Sequence, residues 1–350
     1  GLGFNLTRPA YEGELWRGWR PDVALVVADP RAMSLRLQND NGAVARGRER
    51  GVPTYNYVPI EGAGLTPLWK PSIWDWCEPV AMSEFGQREL VKLLGRDVPY
   101  IPHGVSDSFH RVNVERPGHF RGRPVVSKDG AKECFGWRGR TVILRTDRFI
   151  PRKNYPALFR VMRPVLAAHP EAIVVIHTAI EDPIEGAGFM TESLAREPAA
   201  ILNGFVVVHP QYVFTKQHDT FRGLDDEEFN ILHNAADLFV SPTMAEGFGL
   251  CLAESLACEV PVVATDCSAV PEVVGPGGLL APVKATYTNQ YAHEWALVDE
   301  DAMSAQVERL VSRPHLRAEM GRAGRQYVAR YTWAATATAF DALLRERLAA

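Results

Sequence analysis

The sequence predicts an α/β protein with doubly wound parallel sheets, and three observations lead to this prediction. Short runs rich in valine and isoleucine, such as "TVILRT" (141–146) and "AIVVIHT" (172–178), alternate with longer helix-like segments. These runs are apolar at nearly every position, which is typical of strands covered by helices on both faces. A chain of 350 residues is also too long for one ordinary core, so we expect about two such units.

The predicted strands follow one another along the whole chain. In the N-terminal part they are "VALVVA" (23–28), "PTYNYVPI" (53–60), "PVAMS" (79–83) and "VPYIP" (98–102). In the C-terminal part they are the two runs above, then "FVVVH" (205–209), "LFVSP" (238–242) and "PVVAT" (261–265). A complete Rossmann-like half carries about six strands, whereas the N-terminal part shows about four. The N-terminal unit is therefore either abbreviated or begins before this chain does.

The break between the two units falls in a polar segment, residues 111–136. This segment shows no sustained period and contains Pro117 and Pro124, which indicates a linker, and a short helix is expected to start near Ser127. The predicted divisions are an N-terminal Rossmann-like domain (1–110), a linker (111–126), a C-terminal Rossmann-like domain (127–330) and a C-terminal helix that packs back toward the N-terminal domain (331–350).

Composition and charge argue against several classes of protein. The formal net charge of −4 disfavours a chain that coats nucleic acid. Five cysteines without a CxxC pair fit a reducing compartment and neither a disulfide framework nor a zinc site. No apolar run reaches the roughly 18 residues of a membrane span, and the N-terminus "GLGFNLTRPAYEGELW" lacks the layout of a signal peptide. We therefore expect a cytoplasmic protein.

The stretch "SPTMAEGFGLCLAESLACEVPVVATD" (241–266) predicts a ligand-binding turn between a strand and a helix. Such turns lie outside the carboxyl ends of parallel strands, where ligands bind in open α/β sheets. Gly247 and Gly249 let the backbone approach a ligand closely, and the amides that open the helix can face a phosphate or a sugar hydroxyl. Glu246 and Glu254 are acceptors that suit pairs of hydroxyls on a ribose or a hexose. Taken alone, the glycines are equally explained by packing.

Three cations crowd the start of a predicted helix in "LRTDRFIPRKNYPALFRVM". Arg148, Arg152 and Lys153 precede Asn154, which is expected to cap this helix. The helix dipole is already positive at that end, so the cations are unfavourable there unless an anion neutralises them. A bound diphosphate would do so, and the alternative is a solvated basic loop.

These motifs resemble those of a known family. "EGFGLCLAE" resembles the motif of two glutamates separated by seven residues in retaining glycosyltransferases of the group 1 family (family 4), and "DRFIPRKN" resembles that family's arginine and lysine pair. The stretch 81–109 is similar to the one that closes the family's N-terminal domain, although "GVSD" stands where the family often has "GVD". The resemblance implies the GT-B fold, in which two Rossmann-like domains face each other across a cleft.

The resemblance also implies roles for individual residues. Arg148 and Lys153 would hold the donor diphosphate and stabilise the leaving nucleotide. Glu246 would grip the hydroxyls of the donor sugar, and Glu254 would bind the ribose of the nucleotide. The donor-binding turn beside Glu246 would consist of Gly247, Phe248, Gly249 and Leu250.

The sequence therefore predicts a retaining glycosyltransferase that moves a hexose from a nucleotide-diphosphate sugar to an acceptor hydroxyl. UDP- and GDP-linked donors both remain open, the acceptor is unknown, and nucleic acid is not expected as a partner. No metal or other cofactor is expected, because the cations replace a metal in this family and no DxD pair ends a strand. The acidic run "LDDEEF" (224–229) is instead expected to cap a helix.

Two residues are candidates for contacts with the acceptor. Glu61 ends a predicted strand, and His103 lies in the turn "IPHGV", where a structural hydrogen bond is an equally good explanation. Two alternative functions on the same fold remain open for this chain, namely a nucleotide-sugar epimerase and a non-catalytic nucleotide-sugar-binding protein.

Overall fold

The computed structural model divides into two compact units. Its described residues are 21–29, 47, 49–67, 74, 77–178, 201–202, 206–207, 211–216, 224–289 and 292–349. The first unit takes its residues from 1–103, 288–294 and 334–350, and the second from 104–287 and 295–333. The N-terminus, for which no signal peptide is expected, lies outside the described residues.

Strands and helices alternate along much of the described chain. The strands are β1 (Ala24–Val27), β2 (Thr54–Val58), β3 (Cys77–Ala81), β4 (Gly118–Phe120), β5 (Arg123–Val125), β6 (Thr141–Thr146), β7 (Ala172–Thr178), β8 (Ile201–Leu202), β9 (Val206–Val207), β10 (Tyr212–Lys216), β11 (Leu238–Ser241), β12 (Val262–Thr265), β13 (Gly278–Ala281), β14 (Val283–Thr288) and β15 (Glu294–Val298). The α-helices are α1 (Glu84–Leu94), α2 (Lys128–Cys134), α3 (Tyr155–Ala168), α4 (Asp226–Ala235), α5 (Leu250–Ala257), α6 (Val270–Val274), α7 (Glu300–Val311), α8 (Pro314–Val328) and α9 (Trp333–Ala349).

The second unit is built on a six-stranded parallel sheet with the order β10-β7-β6-β11-β12-β13. From β6 the chain moves outward to β7 and β10, then returns to β11 beside β6 and continues outward through β12 and β13. This is the order of a doubly wound Rossmann-like fold, whose switch point lies between β6 and β11. All seven residues of β7 are buried, as expected for a strand with helices on both faces.

A single apolar cluster joins this sheet to two of its helices. Leu158 and Met162 of α3 and Met303 and Val307 of α7 are buried together with strand residues such as Val174. These helices therefore cover the sheet and hold its strands in register, while the loops at the carboxyl ends of the strands stay available for a ligand.

The first unit contains a three-stranded parallel sheet with the order β1-β2-β3. Ser83 follows β3 closely and caps α1, because its hydroxyl accepts a hydrogen bond from the amide of Gly86 at 3.0 Å. The C-terminal helix α9 also packs on this unit, where the Thr336 hydroxyl donates to the carbonyl of Pro102 at 2.8 Å.

The prediction that the strand at 205–209 belongs to the large sheet is wrong. Among the described residues of that run, Val206–Val207 forms a strand, and it pairs antiparallel with Ile201–Leu202. The place beside β7 belongs to β10, which contains the polar residues Thr215 and Lys216. A strand at the edge of a sheet tolerates polar residues, so its sequence lacks the continuous apolar run on which the prediction relied.

The residues predicted as a linker contain a hairpin of the second unit. β4 and β5 pair antiparallel around Arg121 (φ 50°) and Gly122 (φ 76°). Positive φ at both positions is the geometry of a type I′ turn, the usual two-residue connection of a hairpin. Neither strand is longer than three residues, so no sustained period in the sequence announced them.

Two of the three helix caps predicted from polar residues are confirmed, near Ser127 and in "LDDEEF". The Ser127 hydroxyl accepts from the amide of Gly130 at 3.0 Å at the start of α2. The Asp225 carboxylate of the run "LDDEEF" accepts from the amide of Glu228 at 2.8 Å at the start of α4.

Among the described residues, no helix has the length and apolar character that a membrane crossing requires. The cytoplasmic location stays a prediction.

Candidate functional site

Two loops leave the large sheet side by side at its switch point. Residues 147–154, the β6 loop, follow β6, and residues 242–249, the β11 loop, follow β11. The amide of Met244 donates to the carbonyl of Arg152 at 2.8 Å, which joins the two loops directly. Because both loops lie at the carboxyl ends of adjacent parallel strands, they occupy the place where doubly wound sheets bind ligands.

Lys153 and Glu246 form a buried ion pair between these loops. The Lys153 ammonium lies 2.7 and 3.0 Å from the two oxygens of Glu246 and 2.6 Å from Oδ1 of Asp147. Lys153 is 8% exposed and Glu246 5%. The structure therefore brings together two of the three residues predicted as catalytic, although they are far apart in the sequence.

The three cations of the β6 loop occupy different environments. Arg148 is exposed, whereas Arg152 is buried and donates to Glu246 Oε2 at 3.0 Å. The sequence led us to expect a diphosphate as the neutralising anion. In the structure, the carboxylates of Glu246 and Asp147 supply the opposing charge for Lys153 and Arg152.

Asn154 does not cap α3 in the predicted manner. It lies at the N-cap position in the left-handed conformation (φ 53°), and its side chain makes no capping hydrogen bond. Its carbonyl accepts instead from the amides of Ala157 and Leu158. A 3₁₀-helix (Pro151–Lys153) ends immediately before it, so Asn154 must turn the chain from one helix into the next. Asparagine tolerates the left-handed backbone that this turn requires.

Burial and charge act in opposite directions on the central ion pair. Burial by itself lowers the pKa of Lys153, but the carboxylates of Asp147 and Glu246 outweigh it and raise that pKa. Burial likewise raises the pKa of Glu246, but the cations of Lys153 and Arg152 outweigh it and lower that pKa. Both groups are therefore charged at neutral pH, and the ion pair persists.

Three polar residues complete this site, and the sequence did not single them out: Arg145, Asp147 and Thr243. Arg145, fully buried in β6, donates to the carbonyl of Lys153 at 3.0 Å and lies 3.0 Å from Oδ2 of Asp147. The Thr243 hydroxyl donates to Glu246 Oε1 at 2.9 Å. The available signal was an arginine near the end of an otherwise apolar strand, followed two positions later by an aspartate.

The glycine turn after β11 is held at both ends. Gly249 has φ 97°, in the left-handed region that favours glycine, and it is the N-cap of α5. The Ser268 hydroxyl accepts from the amide of Glu246 at 2.7 Å, and the buried ring of Phe248 meets the ring of Tyr331 at 5.2 Å. The predicted donor-binding turn is thus a defined backbone element, consisting of Gly247, Phe248, Gly249 and Leu250.

Glu254 is a buried carboxyl group that no described residue contacts by a hydrogen bond or an ion pair. It lies in the second turn of α5 and is 7% exposed. Burial, followed by the negative charges of Asp147 and Asp226, raises its pKa to about 8. Because no described side chain donates to its oxygens, this carboxyl group is available to a ligand that brings hydroxyl groups.

Glu254→Gln is expected to stabilise the ligand-free protein in alkaline but not in acidic solution. The folded-state pKa of about 8 lies above the usual value, so the stability that the protonated carboxyl contributes is complete below the unfolded-state pKa and is lost as the pH rises through about 8. Each unit of pKa shift corresponds to about 1.4 kcal/mol. Urea unfolding at about pH 5 and about pH 9 should show a gain of roughly 2 kcal/mol or more at the higher pH alone. An equal gain at both values would contradict this.

The two acceptor-side candidates belong to the first unit. Glu61 follows β2 and precedes Gly62, where a Cβ atom would lie 2.8 Å from the side chain of His293. His103 is half-buried, and its ring stacks on that of Tyr57 with 6.2 Å between the centroids. This packing agrees with a structural role for His103, and an acceptor role for either residue stays a prediction.

Comparisons with known proteins agree with the motifs. Residues 211–327 match the family model described as Glycosyl transferases group 1. The D-inositol 3-phosphate glycosyltransferase 2 of Catenulispora acidiphila is 28% identical over 263 residues, which cover 74% of this chain and 54% of that protein. The comparisons support a group 1 glycosyltransferase. The GDP-mannose-dependent alpha-(1-6)-phosphatidylinositol monomannoside mannosyltransferase of Mycolicibacterium smegmatis is 29% identical over 203 residues, or 56% of this chain and 45% of that protein.

Solved structures share the fold of this chain. The Anabaena protein HepE, solved in complex with UDP and glucose, superposes with a TM-score of 0.67 and 14% sequence identity, covering 98% of this chain and 81% of HepE. The predicted fold class, α/β of the GT-B type, is therefore confirmed. The chain spans about half, or less, of the length of the curated relatives described above.

Proposed function

We propose that this protein is a glycosyltransferase that uses a nucleotide-diphosphate sugar as its donor. The observation that carries the proposal is that two kinds of group, buried cations and a buried carboxyl group, lie at the same switch point of the sheet. Lys153 and Arg152 provide buried cations, which suit a diphosphate, and Glu254 provides a buried carboxyl group without a donor, which suits ribose hydroxyls. The family match over 211–327, which includes Glu254, supports the assignment.

Stabilisation of the leaving group is the proposed source of catalysis. As the bond between the sugar and the diphosphate breaks, negative charge grows on the diphosphate oxygens, and Lys153 and Arg148 stabilise it. Glu246 orients the sugar through its hydroxyls. The leaving diphosphate accepts the proton of the acceptor hydroxyl on the same face of the sugar, so the configuration is retained. In this proposal the cations take the part that a metal ion plays elsewhere.

UDP- and GDP-linked hexoses are the proposed donors. One relative is named as GDP-mannose-dependent, and HepE was solved with UDP and glucose. Both donors present the same diphosphate and ribose to the residues described above. The proposed acceptor is a molecule with a free hydroxyl group.

The test is a thermal-shift screen with UDP, GDP, ADP and their common sugar conjugates, in the presence of a chelator. A ligand that binds the folded state raises the melting temperature by mass action. We expect one nucleoside diphosphate and its sugar conjugate to raise it, with no requirement for added metal. The donor is then incubated alone and with candidate acceptors. Conversion to a second nucleotide sugar would indicate an epimerase, and binding without any cleavage would indicate a non-catalytic protein.

A further inference from the structure

We propose that Asp147 is a positioning residue that anchors Lys153 during turnover and, through its charge, weakens the binding of the nucleotide. The inference rests on the proposed function, because it concerns the same Lys153 ammonium. It goes beyond that function because it assigns a role to Asp147, which is part of "DRFIPRKN" but has no role in the proposed function. Asp147 is the first residue after β6, between Thr146 and Arg148.

The geometry shows that Asp147 is firmly held. Its side chain is 8% exposed, with Oδ1 at 2.6 Å from the Lys153 ammonium and Oδ2 at 3.0 Å from the Arg145 guanidinium. Its carbonyl accepts a hydrogen bond from the Tyr155 hydroxyl at 3.0 Å. Arg145 is fully buried and also donates to the carbonyl of Lys153. The Asp147 carboxylate is therefore a fixed point to which the ammonium is bound.

The other anion that holds Lys153 has several partners. Glu246 accepts hydrogen bonds from Lys153, Arg152 and Thr243. Under the proposed function, Glu246 also accepts hydroxyls of the donor sugar, so fewer of its lone pairs remain for Lys153 when donor is bound. Asp147 has no such second task in the proposal, and it is the anion that keeps the ammonium in place at that stage.

The charge of Asp147 acts against the ligand. It lies 2.6 Å from the ammonium that would contact the diphosphate, so it repels a bound diphosphate at short range. Burial has the largest effect on the pKa of Glu254, and the charge of Asp147 is the larger of the two charges that raise it further. The charge of Asp147 therefore disfavours the ionised form of Glu254, which would accept ribose hydroxyls. Removal of this charge should strengthen nucleotide binding, while the loss of the anchor should slow turnover.

The matched control is Asp237, a second aspartate that pairs with a buried lysine and lies beside the other end of β6. Asp237 Oδ2 lies 2.6 Å from the Lys132 ammonium and accepts from the amide of Val142 at 2.8 Å. Val142 is near the start of β6, so Asp237 is at the opposite end of the strand from Asp147. Asp147→Asn and Asp237→Asn each remove one carboxylate from a buried ion pair, and they differ in their place relative to the site.

The experiment measures the dissociation constant of the nucleoside diphosphate by calorimetry, and kcat for release of nucleoside diphosphate from the donor. For Asp147→Asn we expect kcat to fall by about tenfold and the nucleotide to bind about fivefold more tightly. For Asp237→Asn we expect both quantities to stay near the wild-type values at a temperature where the protein is folded. Loss of structure alone would weaken binding and turnover together, so the opposite signs identify the positioning role.

Three results with the variants would overturn the inference, as would one with the wild-type protein. A rise in kcat for Asp147→Asn would show that the charge matters and the anchor does not, and weaker nucleotide binding would show a structural role. Equal behaviour of Asp147→Asn and Asp237→Asn would remove the connection with the site. If the wild-type protein itself binds no nucleotide, the proposed function fails and the inference fails with it, whereas the other results leave the proposed function standing.

Discussion

Lys153→Met is expected to lower the rate of donor cleavage by about 10²- to 10³-fold, the usual loss when one preorganised group that stabilises developing charge is removed. Lys153 is 8% exposed, so its charge acts where little water screens it. Methionine keeps much of the volume of the side chain and removes the ammonium. The measurement is the initial rate of nucleoside diphosphate release at saturating donor, with water as the acceptor where no better one is known.

Lys132→Met is the matched control for this variant. Lys132 is also 8% exposed and also lies 2.6 Å from an aspartate, Asp237. Each substitution removes one cation from a buried carboxylate that keeps a second one, Arg152 and Arg145 beside Glu246 and Asp147, and Lys128 beside Asp237. Each is expected to lower the free energy of unfolding by roughly 1.5–3 kcal/mol, the usual contribution of a hydrogen bond to a charged group. Both variants are assayed at a temperature where circular dichroism shows them folded. A similar loss of rate in both would show that the effect is one of stability and that Lys153 has no special part in the reaction.

At about pH 9, where its carboxyl group is ionised, Glu254→Gln is expected to weaken nucleotide binding by about 10- to 100-fold. A hydrogen bond to a charged group contributes about 1.5–3 kcal/mol, and the amide of glutamine replaces one acceptor oxygen with a donor. The same substitution should stabilise the ligand-free protein in alkaline solution, because it replaces a buried carboxyl group that ionises there. A variant that gains stability and loses affinity is not explained by damage to the fold.

Nucleotides that lack a ribose hydroxyl test the contact of Glu254 directly. The 2′-deoxy and 3′-deoxy forms of the nucleotide that binds are compared in the wild-type protein and in Glu254→Gln. If the carboxylate accepts a hydroxyl, its removal from the ligand weakens binding to the wild-type protein and has little further effect on the variant. Additive losses from the two changes would place the ribose elsewhere.

The affinity of the wild-type protein for nucleotide should also rise as the pH increases through about 8, the pKa of the Glu254 carboxyl group. Below that value the group carries a proton and offers fewer acceptor positions to the ribose, and above it both oxygens accept. Titration calorimetry over this interval measures the effect. Glu254→Gln should lack it, because an amide does not ionise there, and a parallel rise in the variant would count against the assignment.

The sequence by itself determined the class of the fold and the place of the main loops. Strands that are buried on both faces must be apolar at nearly every position, so β6 and β7 could be located with their observed bounds. The glycine turn could be located because Gly249 needs a backbone conformation that other residues avoid. Such local requirements are visible in a few consecutive residues. Edge strand β10 and the short hairpin β4–β5 lack them and were missed.

Only the tertiary structure decided which charges meet. Lys153 and Glu246 are 93 positions apart, and they touch because β6 and β11 are neighbours at the switch point of the sheet. Arg148 has the same charge as Lys153 and lies in the same loop, but it is exposed where Lys153 is buried. Asp147 binds the ammonium because both ends of the β6 loop turn toward each other. Burial and distance between side chains depend on the packing of distant elements, and no local pattern of residue types encodes them.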